Sequence, residues 1–423
     1  MLIKNGYVCD PGTDLSGKRD ILTENGKIKK ISPVGGIDEE DAEVFDAKDL
    51  IVAPGLVDDH VHFRDPGFTH KEDIDTGAKA AARGGFTSVI MMANTKPTID
   101  NPETLRYCLD KGRLTGINVY ACANVTLGMK GTELTDMKTL KKFGAVGFTD
   151  DGIPLKDGEI VKEAMKKAKA LDLPLSFHEE DPALIENNGV NRGKASEYYK
   201  IGGSPREAEI SLVRRDLELA LETGACIEIQ HISAKETVDL IREALDKGVN
   251  VHAEVTPHHF SLTEEAVIKY GTNAKMNPPL RTEEDRLALI EGLRDGVIDI
   301  IATDHAPHAE SEKDKPITEA PSGIIGLETS LALGITNLVN EGYLSMKELI
   351  KKMSTNPADL YNIDAGYIAE GGPADLCIFD PVKTWVPDEY ASKSKNTPFT
   401  GSELCGKVIA TVAGGVIVYS AEN

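Results

Sequence analysis

The sequence predicts an α/β protein: a (β/α)8 TIM-like barrel with a small composite β-sandwich domain formed from both termini. Between residues 51 and 365, eight apolar, strand-like runs alternate with amphipathic helical patterns. Residues 1–50 and 366–423 contain only short strands separated by turns, too few on either side to be stable alone. Eight β–α repeats are typical of a closed barrel, and the two end segments are expected to pair. A doubly wound open sheet is the alternative.

The predicted elements follow the chain in this order. The N-terminal segment contributes strands at Leu2–Cys9, Lys27–Ile31 and Glu43–Asp46. The barrel strands are Leu50–Val57, Thr87–Met92, Ile117–Cys122, Ala145–Phe148, Leu173–Phe177, Cys226–Ile229, Asn250–Val255 and Ile298–Ala302. The helical patterns cover Asp73–Ala82, Pro102–Asp110, Met137–Lys142, Glu159–Leu171, Pro205–Glu222, Ala234–Asp246, Glu283–Leu293 and Leu327–Leu338. The C-terminal segment adds strands at Ala374–Asp380, Lys407–Val412 and Val416–Tyr419.

The composition excludes several classes of partner. The chain of 423 residues has 69 acidic and 47 basic side chains, a formal charge of −22, so neither nucleic acid nor an anionic membrane surface is expected to bind. The N-terminus lacks the layout of a signal peptide, and no apolar run is long enough to span a bilayer, so a cytoplasmic protein is expected. The six cysteines are scattered and are expected to be reduced core thiols.

The end of the first barrel strand carries the sequence His60-Val61-His62. Side chains two apart in a strand point to the same face, so both imidazoles can reach one ion. Imidazole nitrogen suits zinc and similar transition metals. Taken alone, His-x-His is weak evidence for a metal site. The alternative is a strand end that carries two histidines by chance.

Polar residues stand at the carboxyl ends of the other barrel strands as well. A lone histidine after a strand is more often a hydrogen-bonded core residue than a ligand, but a barrel brings all these ends to one mouth. Four histidines and two aspartates at five such ends make a set of nitrogen and oxygen donors large enough for two metal ions. The strand ends read His60/His62, Asn94, Asn124, Asp150/Asp151, His178, His231, Thr256/His258 and Asp304/His305/His308.

Two of these motifs resemble those of a known family. Residues 54–67, Pro-Gly-Leu-Val-Asp-Asp-His-Val-His-Phe-Arg-Asp-Pro-Gly, resemble the first metal motif of bacterial dihydroorotases, in the amidohydrolase superfamily. Residues 302–308, Ala-Thr-Asp-His-Ala-Pro-His, are similar to the last barrel-strand motif of that family. The resemblance implies a metal-dependent hydrolase barrel. It also implies the reversible cyclisation of N-carbamoyl-L-aspartate to (S)-dihydroorotate and water, in de novo pyrimidine (UMP) biosynthesis.

The resemblance also implies roles for individual residues. Two Zn2+ ions per subunit are expected, one held by His60, His62 and Asp304 and the other by His178 and His231, with Asp151 bridging. The implied substrate contacts are His62, Arg64, Asn94, Asn277, His308, Ser322 and Gly323. The chain departs from the pattern in two ways. No lysine that could be carboxylated lies near the end of strand four, and Ser322 stands where an aromatic residue is expected before the glycine.

The expected chemistry follows from these residues. A hydroxide bridging two zinc ions would attack the cyclic amide carbonyl, and Asp304 would act as general base towards water and then as acid towards the ring nitrogen. In the alternative, Asp304 is only a ligand and another acid moves the proton. The guanidinium of Arg64 can hold the ring carboxylate of dihydroorotate through two parallel bonds, although a solvated surface arginine remains the alternative.

The sequence leaves several alternatives open for the function, the assembly and the loop near the site. Hydantoinases, dihydropyrimidinases and allantoinases share the barrel and the metals, and a non-catalytic subunit that scaffolds aspartate carbamoyltransferase is a further alternative. A homodimer is expected. Residues 310–316 are charged and without periodicity, which indicates a mobile loop over the site or an inert surface loop. We expect a structural role for five histidines: His70, His252, His258, His259 and His305.

Overall fold

A computed structural model describes residues 1–38 and 41–421. Its strands are β1 (Leu2–Cys9), β2 (Ser16–Glu24), β3 (Lys27–Ser32), β4 (Val44–Asp46), β5 (Ile51–Pro54), β6 (Leu56–Val61), β7 (Phe86–Met91), β8 (Asn118–Ala121), β9 (Leu175–Phe177), β10 (Ile227–Ile229), β11 (Val251–Val255), β12 (Ile300–Ile301), β13 (Leu376–Trp385), β14 (Leu404–Ala413) and β15 (Val416–Ser420). Its α-helices are α1 (Ile74–Arg83), α2 (Pro102–Gly112), α3 (Met137–Phe143), α4 (Gly158–Ala170), α5 (Lys194–Tyr199), α6 (Glu207–Thr223), α7 (Lys235–Asp246), α8 (Pro257–Ser261), α9 (Glu265–Tyr270), α10 (Glu283–Asp295), α11 (Glu310–Lys313), α12 (Ser330–Gly334), α13 (Met346–Ile350) and α14 (Asn356–Leu360).

The central strands close into a parallel barrel. Strands β6, β7 and β8 form one parallel sheet, and β9 to β12 form another. Phe148 joins the two sheets on one side by bridging Ala123 and Leu175, and Val61 joins them on the other by pairing with His305. The predicted barrel is thereby confirmed, and the carboxyl ends of its strands meet at one mouth.

The fourth barrel strand is much shorter than predicted. Residues 145–148 were expected to form a strand, but only Phe148 takes part in β-bridges. Gly147 gives the physical reason, because glycine weakens a strand and the ring of Tyr361 packs against its backbone. A Cβ on Gly147 would lie 2.7 Å from Cε1 of Tyr361.

The first predicted barrel strand, Leu50–Val57, is in fact two strands that meet at Gly55. Strand β5 pairs with β1 and β13 in the terminal sheet, and β6 begins the barrel. The break occurs where the backbone passes close to Thr87, since a Cβ on Gly55 would lie 2.0 Å from its Oγ1. Consequently His60 lies inside β6, while His62 follows its last residue.

The two chain ends form one eight-stranded sheet, in the order β15-β14-β13-β5-β1-β2-β3, with β4 also paired to β1. Strand β2 was missed by the sequence analysis. The sheet has its own apolar core, which includes Ile3, Val8, Val52, Leu376 and Ile378. The domain boundaries at residues 50 and 365 stay a prediction, and the pairing of β5 would carry the first segment to Pro54.

Local sequence explains where the barrel helices begin. Asp73 caps α1 by accepting a hydrogen bond from Thr76 N at 2.9 Å, and Thr282 caps α10 by accepting one from Asp285 N at 3.3 Å. The alanine-rich face of α1 is buried against the barrel. Among the described residues, no helix has both the length and the apolar character needed to cross a membrane.

Candidate metal centre and active site

Four imidazoles surround the carboxylate of Asp151 at the barrel mouth. His60 Nε2 lies 3.6 Å and His178 Nδ1 3.5 Å from Oδ1 of Asp151, and His231 Nε2 lies 4.0 Å from the same oxygen. His62 Nε2 lies 3.5 Å from Oδ2. The donors form two overlapping groups, one with His60 and His62 and one with His178 and His231, which share Asp151. The structure therefore brings together the residues of the predicted binuclear site.

Asp304 stands beside the first of these groups. Its Oδ1 lies 3.0 Å from His62 Nε2 and 3.6 Å from His60 Nε2. Burial raises the pKa of Asp304 to about 7, against the opposing effect of His60. Asp304 is thus both close enough to share an ion with the two histidines and able to exchange a proton near neutral pH.

Three residues at the mouth adopt a left-handed backbone conformation that side chains rarely take. The φ angles are +59° at Arg64, +29° at His231 and +45° at Asp304. Such conformations cost about 1–3 kcal/mol each and concentrate at functional sites, where the surrounding structure imposes them. They indicate that the fold orients these side chains towards the mouth.

Residues behind the imidazoles hold them in place, a role that the sequence does not predict for these residues. Glu254 Oε1 lies 2.6 Å from His60 Nδ1, and Asn94 Oδ1 lies 3.0 Å from His62 Nδ1. These contacts leave Nε2 of each ring as the metal-facing atom, which is how metal-ligating histidines are usually oriented. The available signal for Glu254 is a carboxylate inside strand β11, whose other residues apart from His252 are apolar.

The donor set fits divalent metal ions. His60 Nε2, which faces Asp151 and Asp304, is buried and has no hydrogen-bond partner within the described residues. Burial opposes ionisation of Asp151, yet His60, His178 and His62 hold its pKa well below the usual range. Burial likewise opposes protonation of His178, but Asp151 and Glu180 raise its pKa to about 10. A buried anion within a set of N and O donors suits a transition-metal cation.

A second carboxylate cluster lies deeper, beside the metal-binding residues. Oxygens of Asp59, Glu228 and Glu254 lie within 4.8 Å of one another, and all three residues are buried. Burial and the neighbouring carboxylates raise the pKa of Asp59 and of Glu254 well above their ordinary values. The hydroxyl of Tyr361 donates a hydrogen bond to Glu228 at 2.7 Å. We therefore expect protons to be shared within this cluster rather than three free charges.

The predicted substrate residues line one small cavity above the metal-binding residues. Its volume is about 170 Å³. A cavity of about 150 Å³ is enough to bind benzene, so this one suits a single small ring. The cavity contains all the predicted substrate contacts and every predicted metal ligand except His60, which lies beneath. Its lining includes His62, Arg64, Asn94, Asp151, His178, His231, Asn277, Asp304, His308, Ser322 and Gly323.

Arg64 provides a cation that protein carboxylates leave unpaired. Its Nε donates to Pro307 O at 3.2 Å, and Nη2 lies 3.4 Å from His308 Nε2. Among residues 1–38 and 41–421, Nη1 has no hydrogen-bond partner and no carboxylate forms an ion pair with the guanidinium. Burial lowers the pKa of Arg64, but an arginine keeps its charge at neutral pH. In a chain of charge −22, this cation gives the cavity a local preference for anions.

The other predicted substrate contacts differ in whether their polar atoms already have hydrogen-bond partners within the protein. Asn277 Oδ1 is buried without a hydrogen-bond partner among the described residues, so it is free for a ligand. Asn94 Nδ2 instead donates to the Asp151 backbone at 3.2 Å and carboxylate at 2.9 Å, and its contact with substrate stays a prediction. Gly323 has φ +144°, and a Cβ there would come within 2.9 Å of His308 and Ala306. Glycine is required at that position.

Most of the remaining histidines have protein partners. His252 contacts Asp299 at 2.6 Å, His305 contacts Glu72 at 3.4 Å, and His259 lies 3.0 Å from Pro278 O. His258 is buried, stacks on Phe399 with 6.0 Å between ring centroids, and has no hydrogen-bond partner within the described residues. These placements agree with a structural role.

The segment at residues 310–316 is partly helical and is anchored at Lys313. Helix α11 ends at Lys313, whose Nζ donates to Pro321 O at 2.9 Å and Gly323 O at 3.0 Å. Burial lowers the pKa of Lys313 to about 7, with a further contribution from Lys275. The start of the segment thus braces the loop that carries Ser322 and Gly323, and its closure over a substrate stays a prediction.

Comparison with known proteins identifies the class. The sequence pattern of the amidohydrolase family matches residues 51–418, which is most of the chain. The chain therefore belongs to the amidohydrolase family. Together with the barrel and the donor groups at its mouth, this membership supports a metal cofactor.

Relatives within this family are more specific. The chain is 56% identical to a dihydroorotase of Clostridioides difficile over 423 residues, which is 100% of both chains. It is 54% identical to a dihydroorotase of Clostridium acetobutylicum over 421 residues, 99% of each. The resemblance stated from the motifs is thereby confirmed over the full length, as is the enzyme class, a cyclic amidohydrolase.

Solved structures of similar fold include a hydantoinase and a dihydropyrimidinase. The L-hydantoinase of Arthrobacter aurescens superposes with a TM-score of 0.88 at 26% identity, covering 99% of this chain and 96% of that one. A dihydropyrimidinase from Brevibacillus agri has a TM-score of 0.85 at 23% identity, which shows the fold alone. The sequence identity to the two dihydroorotases is thus about twice the identity to these two solved structures.

Proposed function

We propose that this protein catalyses the reversible cyclisation of N-carbamoyl-L-aspartate to (S)-dihydroorotate and water, a step of de novo pyrimidine biosynthesis. One observation carries the choice of substrate: the Arg64 guanidinium, unpaired by any carboxylate of the described residues, beside the cavity that holds Asp304 and the imidazoles. A ring with a carboxylate matches that cation, whereas hydantoin and allantoin lack one. The full-length identity to dihydroorotases supports the same reaction.

We assign the metal as zinc, with two ions per subunit. His60, His62 and Asp304 would hold one ion, His178 and His231 the other, and Asp151 would bridge them. Four imidazoles and two carboxylates are a donor set that zinc accepts. When bound, such ions polarise a carbonyl and lower the pKa of water towards neutrality.

The protein's own residues would then position the substrate and move the proton. Arg64 grips the ring carboxylate, and Asn277 and the backbone at Ser322 and Gly323 orient the ring. In hydrolysis Asp304 takes a proton from water and gives it to the ring nitrogen that leaves. In cyclisation the same carboxylate takes the proton from the ureido nitrogen of N-carbamoyl-L-aspartate and gives it to the carboxylate oxygen of the substrate, which leaves as water with a second proton from solvent.

The direct test is an assay with and without a chelator. We expect the purified protein to hydrolyse dihydroorotate, to lose that activity when its metal is removed, and to regain it with added zinc. Hydantoin and allantoin should be turned over at a small fraction of that rate. Full activity of a metal-free preparation would exclude the metal mechanism, and a preference for hydantoin would favour a hydantoinase.

The Arg64→Met variant tests the choice of substrate. Truncating one partner of a buried charged pair costs about 2–5 kcal/mol, so KM for dihydroorotate should rise roughly thirty-fold or more. Metal content should not change, because the lost contact is to the carboxylate. The matched control is Arg83→Met, which breaks an ion pair to Glu328 at 3.2 Å away from the cavity and should leave KM unaltered. An unchanged KM in Arg64→Met would refute the assignment.

Assembly stays a prediction. We expect a homodimer in the cytoplasm, with association with aspartate carbamoyltransferase as a further candidate. A purely scaffolding role is disfavoured, because all six predicted ligand residues are present and gathered at one mouth.

A further inference from the structure

Lys71 lies beside the substrate cavity and has none of the roles assigned above. Its Nζ is 3.3 Å from His308 Nδ1 and 2.9 Å from Glu312 Oε1, and it lies 5.5 Å from the centroid of the Phe68 ring. The backbone carbonyl of Lys71 accepts a hydrogen bond from Ser394 Oγ at 2.6 Å. The side chain is largely buried, with 13% of it exposed. Contacts on several sides thus hold the ammonium against one ring nitrogen of His308.

These contacts determine which nitrogen of His308 carries the proton. An ammonium group has three donors and no acceptor, so the ring nitrogen that faces Lys71 must accept. Nε2 lies 2.8 Å from Ser322 O, and a carbonyl oxygen can only accept. The Lys71 and Ser322 contacts therefore both require a proton on Nε2 and a lone pair on Nδ1.

Two other neighbours would favour the opposite tautomer, but their contacts are weaker. Arg64 Nη2 lies 3.4 Å from Nε2, at the outer limit for a hydrogen bond, and the guanidinium has other donors. Glu312 Oε2 lies 3.7 Å from Nδ1, too far to accept from it. With Lys71 removed, however, Glu312 and Arg64 together would draw the proton to Nδ1.

The ring is also kept neutral. His308 is 6% exposed, and the charged groups facing it are the cations of Arg64, Lys71 and Lys313 and the carboxylate of Glu312. Burial first, and then these cations, lower the pKa of His308 far below its ordinary value. A neutral imidazole has one donor and one acceptor, so the choice of tautomer decides what it offers a ligand.

We propose that Lys71 is a positioning residue that locks His308 as the Nε2–H tautomer, so that His308 meets the substrate as a neutral hydrogen-bond donor. On substrate binding, the Nε2–H group would turn from Ser322 O to a substrate oxygen. Because Arg64 Nη2 lies beside the same nitrogen, both donors would converge on the carboxylate of the ring. This last step rests on the proposed function, whereas the tautomer itself does not.

The tautomer can be read directly by nitrogen NMR of the metal-loaded protein with 15N-labelled histidine rings. The His308 signals are identified as those missing from His308→Asn. We expect the Nε2–H form in the unaltered protein, a shift to Nδ1–H in Lys71→Met, and restoration in Lys71→Arg. Nδ1–H or a doubly protonated ring in the unaltered protein, or an unchanged tautomer in Lys71→Met, would overturn the proposal.

Kinetic measurements distinguish the effect of Lys71 on the His308 tautomer from the effect of losing one positive charge near the cavity. Lys71→Met should raise KM for dihydroorotate about tenfold, change kcat less than threefold, and keep the metal content. The matched control is Lys395→Met, since Lys395 is an exposed lysine that lines the same outer cavity as His308, a space of about 650 Å³. An equal rise of KM in Lys395→Met would overturn the proposal. If the unaltered protein turned over no dihydroorotate, the proposed function would fail, while the NMR result would still decide the tautomer.

Discussion

Replacing Asp304 with asparagine should abolish hydrolysis of dihydroorotate and cyclisation of N-carbamoyl-L-aspartate together. One carboxylate moves the proton in both directions. Asparagine keeps the shape of the side chain and one oxygen that can ligate a metal ion, but it cannot exchange a proton. Loss of a general acid–base group typically costs about 10²–10⁴-fold in rate. Both directions should be assayed on the same preparation, at a metal content matched to that of the unaltered protein by adding zinc.

The pH–rate profiles of the unaltered protein are the reference for those of Asp304→Asn. Hydrolysis needs ionised Asp304 and should rise with pH, whereas cyclisation takes up one proton overall, as a carboxylate oxygen leaves as water, and should fall as pH rises. The residual activity of Asp304→Asn should lack this opposed pair of profiles. A metal-replete variant that lost hydrolysis but still cyclised at the normal rate would show that another acid moves the proton, with Asp304 only a ligand.

Asp151→Asn should lose tightly bound metal. Its carboxylate lies within 4.0 Å of all four imidazoles, and asparagine removes the negative charge at the centre of that set. Two cations held by the remaining donors would then repel each other with less compensation. We expect at most one retained ion per chain by elemental analysis, and activity reduced in proportion or further.

The neighbouring aspartate provides the matched control. Asp150 accepts hydrogen bonds from Val125 N at 2.9 Å and Asn124 Nδ2 at 3.2 Å, and does not face the imidazoles. Asparagine offers one acceptor oxygen where Asp150 has two, so Thr126 Oγ1, which donates to Oδ2, would lose its acceptor. Asp150→Asn should therefore lower thermal stability by about 1–3 kcal/mol, yet keep both metal ions. If Asp151→Asn kept two firmly bound ions and full activity, Asp151 would not be the bridging ligand. The bridge would then be Asp150, or there would be no bridging aspartate.

Much of the site could be predicted because its signals are local in sequence. The two-residue spacing of His60 and His62 indicates a shared face in any strand, and the polar residues at strand ends meet once a barrel closes. The structure does bring Asp151, His178 and His231 to the same point. Boundaries were less predictable, since Gly55 and Gly147 look unremarkable in sequence. Only the close approach of Thr87 and Tyr361 makes them breaks.

By itself the sequence determined the barrel and which residues are candidates, both for the metal ligands and, in Arg64, for the cationic partner of the substrate, because hydrophobic period and residue chemistry are properties of short segments. The tertiary structure alone decided which atoms of those residues are available. Glu254 orients His60 across 194 residues of chain, and Lys71 faces His308 across 237. Such contacts have no period and no motif. They depend on the packing that brings distant strand ends together, so orientation, protonation and tautomer follow from the fold.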